Sequence, residues 1–340
     1  MPHGRRFGSM RMRLLAAAVA TGCLIAAGFA VIHLRGAGRA AADTRVTAAS
    51  PAARTSAPVS GPAPAPSPRP KRTAVPRPSA AATHQPVPSA APPAVTGSKK
   101  GVGAWGFNGS SEALSESGAS WYYTWSPSPG VSGPSGVQFV PMIWGAADVT
   151  ASTLSQVKQE GNVLLGFNEP DMGSQSNMTP AQALSLWPQL MATGMQLGSP
   201  AVADDGATPG GWLDQFMSGV ASRGYRVNFI TLHWYGSDFA TGAAVGQLQS
   251  YLQAVYARYH LPIWLTEFAL ANFGGSPETP TQQQQAAFVT AATAMLQRLS
   301  YVQRYAWFGL EATATDGSMG LFRSGPVPTT VGRAFEAAGG

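Results

Sequence analysis

Cysteine is nearly absent: Cys23 is the only one in 340 residues, and it lies inside an apolar N-terminal run. The rest of the chain has no disulfide available and must be held by its core. Histidine is also scarce. Of five, only His233 and His260 lie beyond residue 100, and no metal-ligand spacing joins them, so metal chemistry finds no support. His260, between a helical stretch and Pro262, reads as a surface residue. No G-x-S-x-G elbow is present, which removes the usual serine hydrolase arrangement. Nor does a glycine-rich phosphate loop follow the first strand-like segment, as an open dinucleotide-binding sheet would require. Trp, Tyr and Phe are missing from residues 43 to 98, whereas all nine Trp and all nine Tyr lie beyond residue 100.

Only 11% of the residues are charged, and the charge is unevenly placed. A net charge of +6 and a pI near 9.7 would suit a nucleic-acid binder if they described the folded part. Residues 1 to 100 hold 14 Lys and Arg against one acid, Asp43, whereas residues 101 to 340 hold 8 against 15 Asp and Glu. The aromatic-rich part is therefore acidic, and a nucleic-acid partner is excluded.

Arg5, Arg6, Arg11 and Arg13 precede "LLAAAVATGCLIAAGFAVI", residues 14 to 32, in the manner of an export signal. The run is also long enough to span a bilayer with its arginines on the cytoplasmic side, so membrane attachment through residues 14 to 34 is an equal alternative to cleavage near Ala42. Either way residues 1 to 42 act as signal peptide or signal anchor, and the expected location is extracellular or cell-envelope. Residues 43 to 98 are rich in Pro, Ala, Ser and Thr, with 13 prolines between 51 and 100. They cannot bury enough apolar surface to offset their ordering entropy and are expected to form a disordered spacer, at ~3.1 Å per residue a reach of up to ~170 Å.

Residues 99 to 340 carry the domain. Strand-like segments begin at 102, 121, 137, 162, 196, 228, 262 and 304, with helical patterns between them such as 245 to 260 and 281 to 299. Eight strands alternating with helices over this length predict an α/β fold of the (β/α)8 TIM barrel type, whose active site lies at the C-terminal strand ends. Helices around the first three strands are short or poorly defined.

Two of those ends carry glutamates: "LLGFNEPD" places Asn168 and Glu169 at the end of the fourth strand, and "PIWLTEFA" places Glu267 on the seventh. With a side-chain period of two, Glu169 shares a face with Leu165 and Phe167, and Glu267 with Ile263 and Leu265, so both can cap inward-facing rows. A lone glutamate at a strand end is commonly a salt-bridge or capping residue. Two of them converging over one barrel mouth point to acid/base chemistry.

These motifs resemble the acid/base and nucleophile motifs of the clan A retaining glycoside hydrolases. With "LGSPAVA", "GWLDQFM" and "ITLHWYG" in order between them, the chain more narrowly resembles glycoside hydrolase family 128, the endo-β-1,3-glucanases, over about residues 102 to 335. The resemblance implies hydrolysis of β-1,3-glucan by double displacement, with Glu169 as acid/base, Glu267 as nucleophile and Asn168 donating to the sugar's 2-hydroxyl. Such chemistry needs two carboxyls about 5 to 5.5 Å apart. At roughly 5 Å and an effective dielectric near 20, two such charges repel by about 3 kcal/mol, so one stays protonated.

On strand six, His233 and Tyr235 share a face. Tyr235 is read as the donor that keeps Glu267 ionised and His233 as lining the sugar subsite, against the plainer reading of hydrogen-bonded core residues. Trp144, Trp212 and Trp307 are candidate sugar platforms, Trp307 because clan A enzymes commonly present an aromatic residue at that strand end. Glu311, just past strand eight, reads as a loop charge at the rim. A monomer without cofactor or metal is expected, with a β-glucan as its partner. The alternatives are a glycan-binding barrel without turnover, or a retaining clan A enzyme acting on another β-linked glycan.

Overall fold

The computed structural model describes residues 98–274, 279–313 and 318–339. The expected signal or anchor, and the expected spacer up to residue 97, lie outside the described residues. Among the described residues no helix is long and apolar enough to cross a membrane.

Eight strands follow one another: β1 Lys100–Gly103, β2 Trp121–Tyr123, β3 Gln138–Phe139, β4 Val163–Leu164, β5 Gln196–Leu197, β6 Ile230–Gly236, β7 Ile263–Leu270 and β8 Val302–Phe308. Six form a parallel sheet in the order β3-β2-β1-β8-β7-β6, and β4 pairs in parallel with β5. Single parallel bridges complete the circuit. Met142 meets Leu165 between the β3 and β4 segments, while Gly198 with Phe229 and Val202 with Leu232 join β5 to β6. The fold is thus α/β on a parallel sheet whose pairings return to their start, the arrangement expected of a (β/α)8 barrel. β2 to β7 fall within their segments read from the sequence, and β1 and β8 overlap theirs but begin two residues earlier, because buried parallel strands leave short apolar runs bounded by turn residues.

The helices between them are α1 Ser110–Glu116, α2 Ala151–Glu160, α3 Pro180–Met191, α4 Trp212–Arg223, α5 Thr241–Tyr259, α6 Gln282–Arg298 and α7 Thr330–Ala337. A loop alone joins β2 to β3, and α1 has only 7 residues, in keeping with the weak helical patterns of the early units. Threonine starts four of the helices. Thr150, Thr179, Thr281 and Thr329 each accept a backbone N–H of the first turn, and Gln182 and Gln284 close capping boxes. A short antiparallel pair, β9 Phe322–Arg323 with β10 Val327–Pro328, precedes α7.

Lys99 and Lys100, the last two cations of the basic N-terminal stretch, belong to the folded part. Lys99 Nζ donates to the carbonyls of Leu296, Gln297 and Leu299 beyond the last turn of α6 and within it. Buried Lys100 donates to Phe335 and Ala338 at the end of α7. Two cations thereby satisfy helix carbonyls that would otherwise lack partners and tie the first strand to the last two helices.

Candidate active site

The fourth strand continues past Leu164 as a run held between the segments that follow β3 and β5. Asn168 N donates to Trp144 O at 2.9 Å, and Glu169 N to Ala201 O at 2.7 Å. Glu169 has φ +40°, in the left-handed region that a side chain rarely adopts. Such a conformation costs about 1 to 3 kcal/mol and persists where neighbours over-determine it. Here the strand pairing does so, and it turns the carboxyl inward. Glu267 reaches the same place by an irregularity: β7 pairs Leu265 with Leu232, then Glu267 with His233, so one residue, Thr266, is skipped.

His233 lies between the two carboxyls. Its Nδ1 is 2.7 Å from Glu169 Oε1 and its Nε2 is 3.4 Å from Glu267 Oε1, the second contact being too poorly aligned to count as a hydrogen bond. All three side chains are at most 1% exposed, and one atom from each lies within 4.8 Å of the others. By distance alone this is the cluster that could hold a metal ion among the described residues. The Glu267 oxygens, however, already face donors: Oε1 accepts from Trp125 Nε1 at 2.7 Å and lies 3.2 Å from the Tyr123 hydroxyl, whose one proton also faces Thr266 O at 3.0 Å, and Oε2 accepts from the Tyr235 hydroxyl at 2.6 Å.

Electrostatics separate the glutamates. Burial pushes the Glu169 carboxyl well above the usual carboxylate range, and the nearby acids Asp171 and Asp204 push it further. Burial raises Glu267 as well, but His233 opposes the rise, as do the donors Tyr235 and Trp125, while Glu169 adds to it. Burial, then the charge of Glu267, holds the Tyr123 and Tyr235 phenols well above their ordinary value, so both keep the protons they donate. Burial holds the imidazole of His233 low, against the pull of Glu267 and Asp171.

Around the pair, some expected site residues converge and others do not. Asn168 is buried beside Glu169, its Nδ2 3.3 Å from Gln175 Oε1 and its Oδ1 without a protein partner. Trp144 is half-buried and meets the site through its backbone contact with Asn168. Trp212 stands apart at the start of α4, bonded to Met178 O and stacked on Phe216.

Trp307 is not a platform. It is fully buried, donates to Met319 O, and packs edge-on to Phe268 and against Phe288 of α6. Side chains alternate along a strand, and Trp307 pairs with Phe268, the outward neighbour of Glu267, so it faces the helices. The next residue, Phe308, takes the inward place, 5.5 Å from the Trp125 ring and 5.9 Å from Tyr235.

Tyr123, Trp125 and Phe308 are absent from the residues chosen by sequence. The signal for two of them was present: in "WYYTWS" Trp121, Tyr123 and Trp125 recur at period two towards a strand end. Gly103 makes room for Trp125, since a Cβ there would come within 2.6 Å of the indole. A cleft of about 430 Å³ opens beside His233, lined by Asp171 after β4, Asp204 after β5, Tyr235 of β6, Tyr251 of α5 and Phe273 after β7.

Comparison with known proteins agrees with this geometry. Residues 103–335 match the family described as the glycosyl hydrolase catalytic core. The structure is similar to a GH128 subgroup I endo-β-1,3-glucanase from Amycolatopsis mediterranei, solved with laminaritriose, at 57% identity and TM-score 0.69, over 72% of this chain and 100% of that one. A GH128 subgroup II endo-β-1,3-glucanase from Sorangium cellulosum is 28% identical with TM-score 0.61, over 71% and 99%. Alkali-sensitive linkage protein 1 of Schizosaccharomyces pombe is 35% identical over 221 residues, 63% of this chain, which spans 38% of that protein's length. The chain belongs to the glycosyl hydrolase catalytic core family and is a glycoside hydrolase.

Proposed function

We propose that this glycosyl hydrolase is an exported (β/α)8 enzyme that cleaves β-1,3-glucan with retention of anomeric configuration, Glu169 serving as acid/base and Glu267 as nucleophile. The observation that carries the assignment of roles is the unequal supply of donors. Glu267 accepts hydrogen bonds from Trp125 and Tyr235 and shares the Tyr123 proton with Thr266 O, whereas Glu169 meets only His233. Donors stabilise the ionised form, and attack on the anomeric carbon needs it. Glu169, buried among acids, keeps its proton for the leaving oxygen.

Geometry supports the same division. Glu169 Oε1 faces His233, so the unpartnered Oε2 is the oxygen free to deliver the proton. One oxygen of each carboxyl lies within 4.8 Å of the other, which suits a nucleophile attacking directly better than the wider gap in which an inverting enzyme holds a water. Asn168, with Oδ1 unpartnered at the mouth, has polar capacity for the hydroxyl next to the reacting carbon. In the first half-reaction Glu267 bonds to the anomeric carbon as the glycosidic bond breaks, and the proton of Glu169 passes to the leaving oxygen. In the second, water attacks the glycosyl-enzyme, Glu169 takes its proton, and Glu267 leaves as carboxylate. The β-1,3-glucan substrate rests on the likeness to the bacterial glucanases; export through residues 1 to 42 and a spacer up to residue 98 rest on the sequence alone.

Azide tests the roles. Glu169→Ala should lose activity on laminarin yet form glycosyl-enzyme from an activated aryl β-glycoside, and azide should then yield a β-glycosyl azide. Glu267→Ala should yield the α-azide from the same donor. Exchanged stereochemistry would exchange the roles, and an initial α-anomer from laminarin and wild-type enzyme would rule out retention.

A further inference from the structure

One aromatic side chain at the mouth takes no part in holding the catalytic pair. Trp105 follows β1, and its ring is only partly buried. Its Nε1 donates to Glu311 Oε2 at 2.5 Å. Glu311 is in turn fixed by a bridge to Phe322, where Ala312 N donates to Phe322 O at 2.6 Å. The ring rests over Gly309, where a Cβ would come within 2.6 Å of it, so glycine makes its seat. It stands 5.8 Å from Trp125, tilted by 39°, and 5.8 Å from Phe308. An unbroken run of rings thus leads from Glu267 through buried Trp125 to partly exposed Trp105.

We propose that Trp105, oriented by Glu311, is the stacking platform for the second glucosyl unit on the glycone side, one sugar beyond the unit attacked by Glu267. The proposal rests on the β-glucanase reading above. The leaving group departs beside Glu169 into the cleft lined by the ends of β4 to β7, and Trp105 stands outside that cleft, at the ends of β1 and β8. Trp125 and Phe308 border the reacting sugar because Trp125 bonds the nucleophile. Trp105 is one ring further out. Ring faces suit β-glucose, whose ring hydrogens are axial and whose hydroxyls stay equatorial and wet. Glu311 is a positioning residue: a rim tryptophan without its partner would turn freely and lose ordering entropy on each binding event.

Two activated substrates separate this role from a structural one, an aryl β-glucoside and an aryl β-laminaribioside. Trp105→Ala should lower kcat/KM on the laminaribioside on the order of tenfold, mainly through KM, and leave the glucoside near wild type. Glu311→Leu should copy that pattern, whereas Glu311→Gln, which retains an acceptor oxygen, and Trp105→Phe, which retains a ring, should recover much of the loss. Equal losses on both substrates, or no loss on the laminaribioside, would overturn the platform. Calorimetric titration of Glu169→Ala with laminaribiose and laminaritriose, with and without Trp105→Ala, gives a reading independent of turnover. About tenfold weaker binding upholds the platform even if wild-type enzyme cleaves neither aryl glycoside, a result that would count against the hydrolytic reading instead. Unchanged binding overturns it.

Discussion

The indole N–H of Trp125 donates to Glu267 Oε1 at 2.7 Å across 142 residues of sequence. It arrives from the end of β2, while the Tyr235 hydroxyl takes the other oxygen at 2.6 Å from the end of β6. Fixed donors of this kind hold the charge of a buried carboxylate without reorganising when it reacts.

Tyr235→Phe should move the acid limb of the kcat/KM profile to higher pH. Glu267 must be ionised to attack, and losing a donor disfavours the ionised form, so its pKa rises and activity fades earlier as pH falls. The alkaline limb, which reports the proton on Glu169, should stay close to its place. An unmoved acid limb would remove Tyr235 from this role.

Trp125→Phe and Trp307→Ala should fail differently. The first keeps a ring and removes one donor, so kcat should fall on the order of tenfold or more while melting temperature changes little. The second empties a fully buried site against Phe268 and Phe288, and should cost about 3 to 5 kcal/mol with KM nearly unchanged in the surviving folded fraction. A large KM effect at Trp307 would return it to the substrate.

Glu169→Gln should stabilise the protein at alkaline pH more than at acid pH. The folded-state pKa of Glu169 is raised above its unfolded value. Between those two values the unfolded chain has released the proton and the folded chain retains it, so wild-type stability falls as pH rises through that window. Glutamine does not titrate and escapes the loss. Melting curves at pH 5 and pH 8 check this; a gap between variant and wild type that does not widen at pH 8 contradicts it.

A fragment of residues 98 to 340 should melt in one cooperative transition, and one beginning at residue 101 should melt lower. The shorter fragment lacks Lys99 and Lys100, whose ammonium groups serve the ends of α6 and α7. A buried charged hydrogen-bond donor contributes about 1.5 to 3 kcal/mol. Equal melting temperatures would mean that the carbonyls find other partners.

The positions of all eight strands and of the two glutamates at their ends were legible in the sequence. Those signals are local: apolar runs of strand length, period-two alternation and turn residues are written in consecutive positions. His233 and Tyr235 were legible for the same reason, one strand face carrying both, although His233 proved to sit between the carboxyls.

What surrounds the pair was decided by tertiary structure, because it depends on how each strand registers against its neighbours. A shift of one residue turns a side chain to the other face. The register of β7 on β8 slips between Leu265 and Phe268, so Trp307 turns outward with Phe268 and Phe308 takes the inward place. Trp125 needed the missing Cβ of Gly103, and Trp105 that of Gly309, contacts made across strands that no span of sequence contains. The chain by itself set which residues could do chemistry at the strand ends. Closure of the pairings set which of them meet, since donor distances near 3 Å are fixed only when every register round the circuit is fixed.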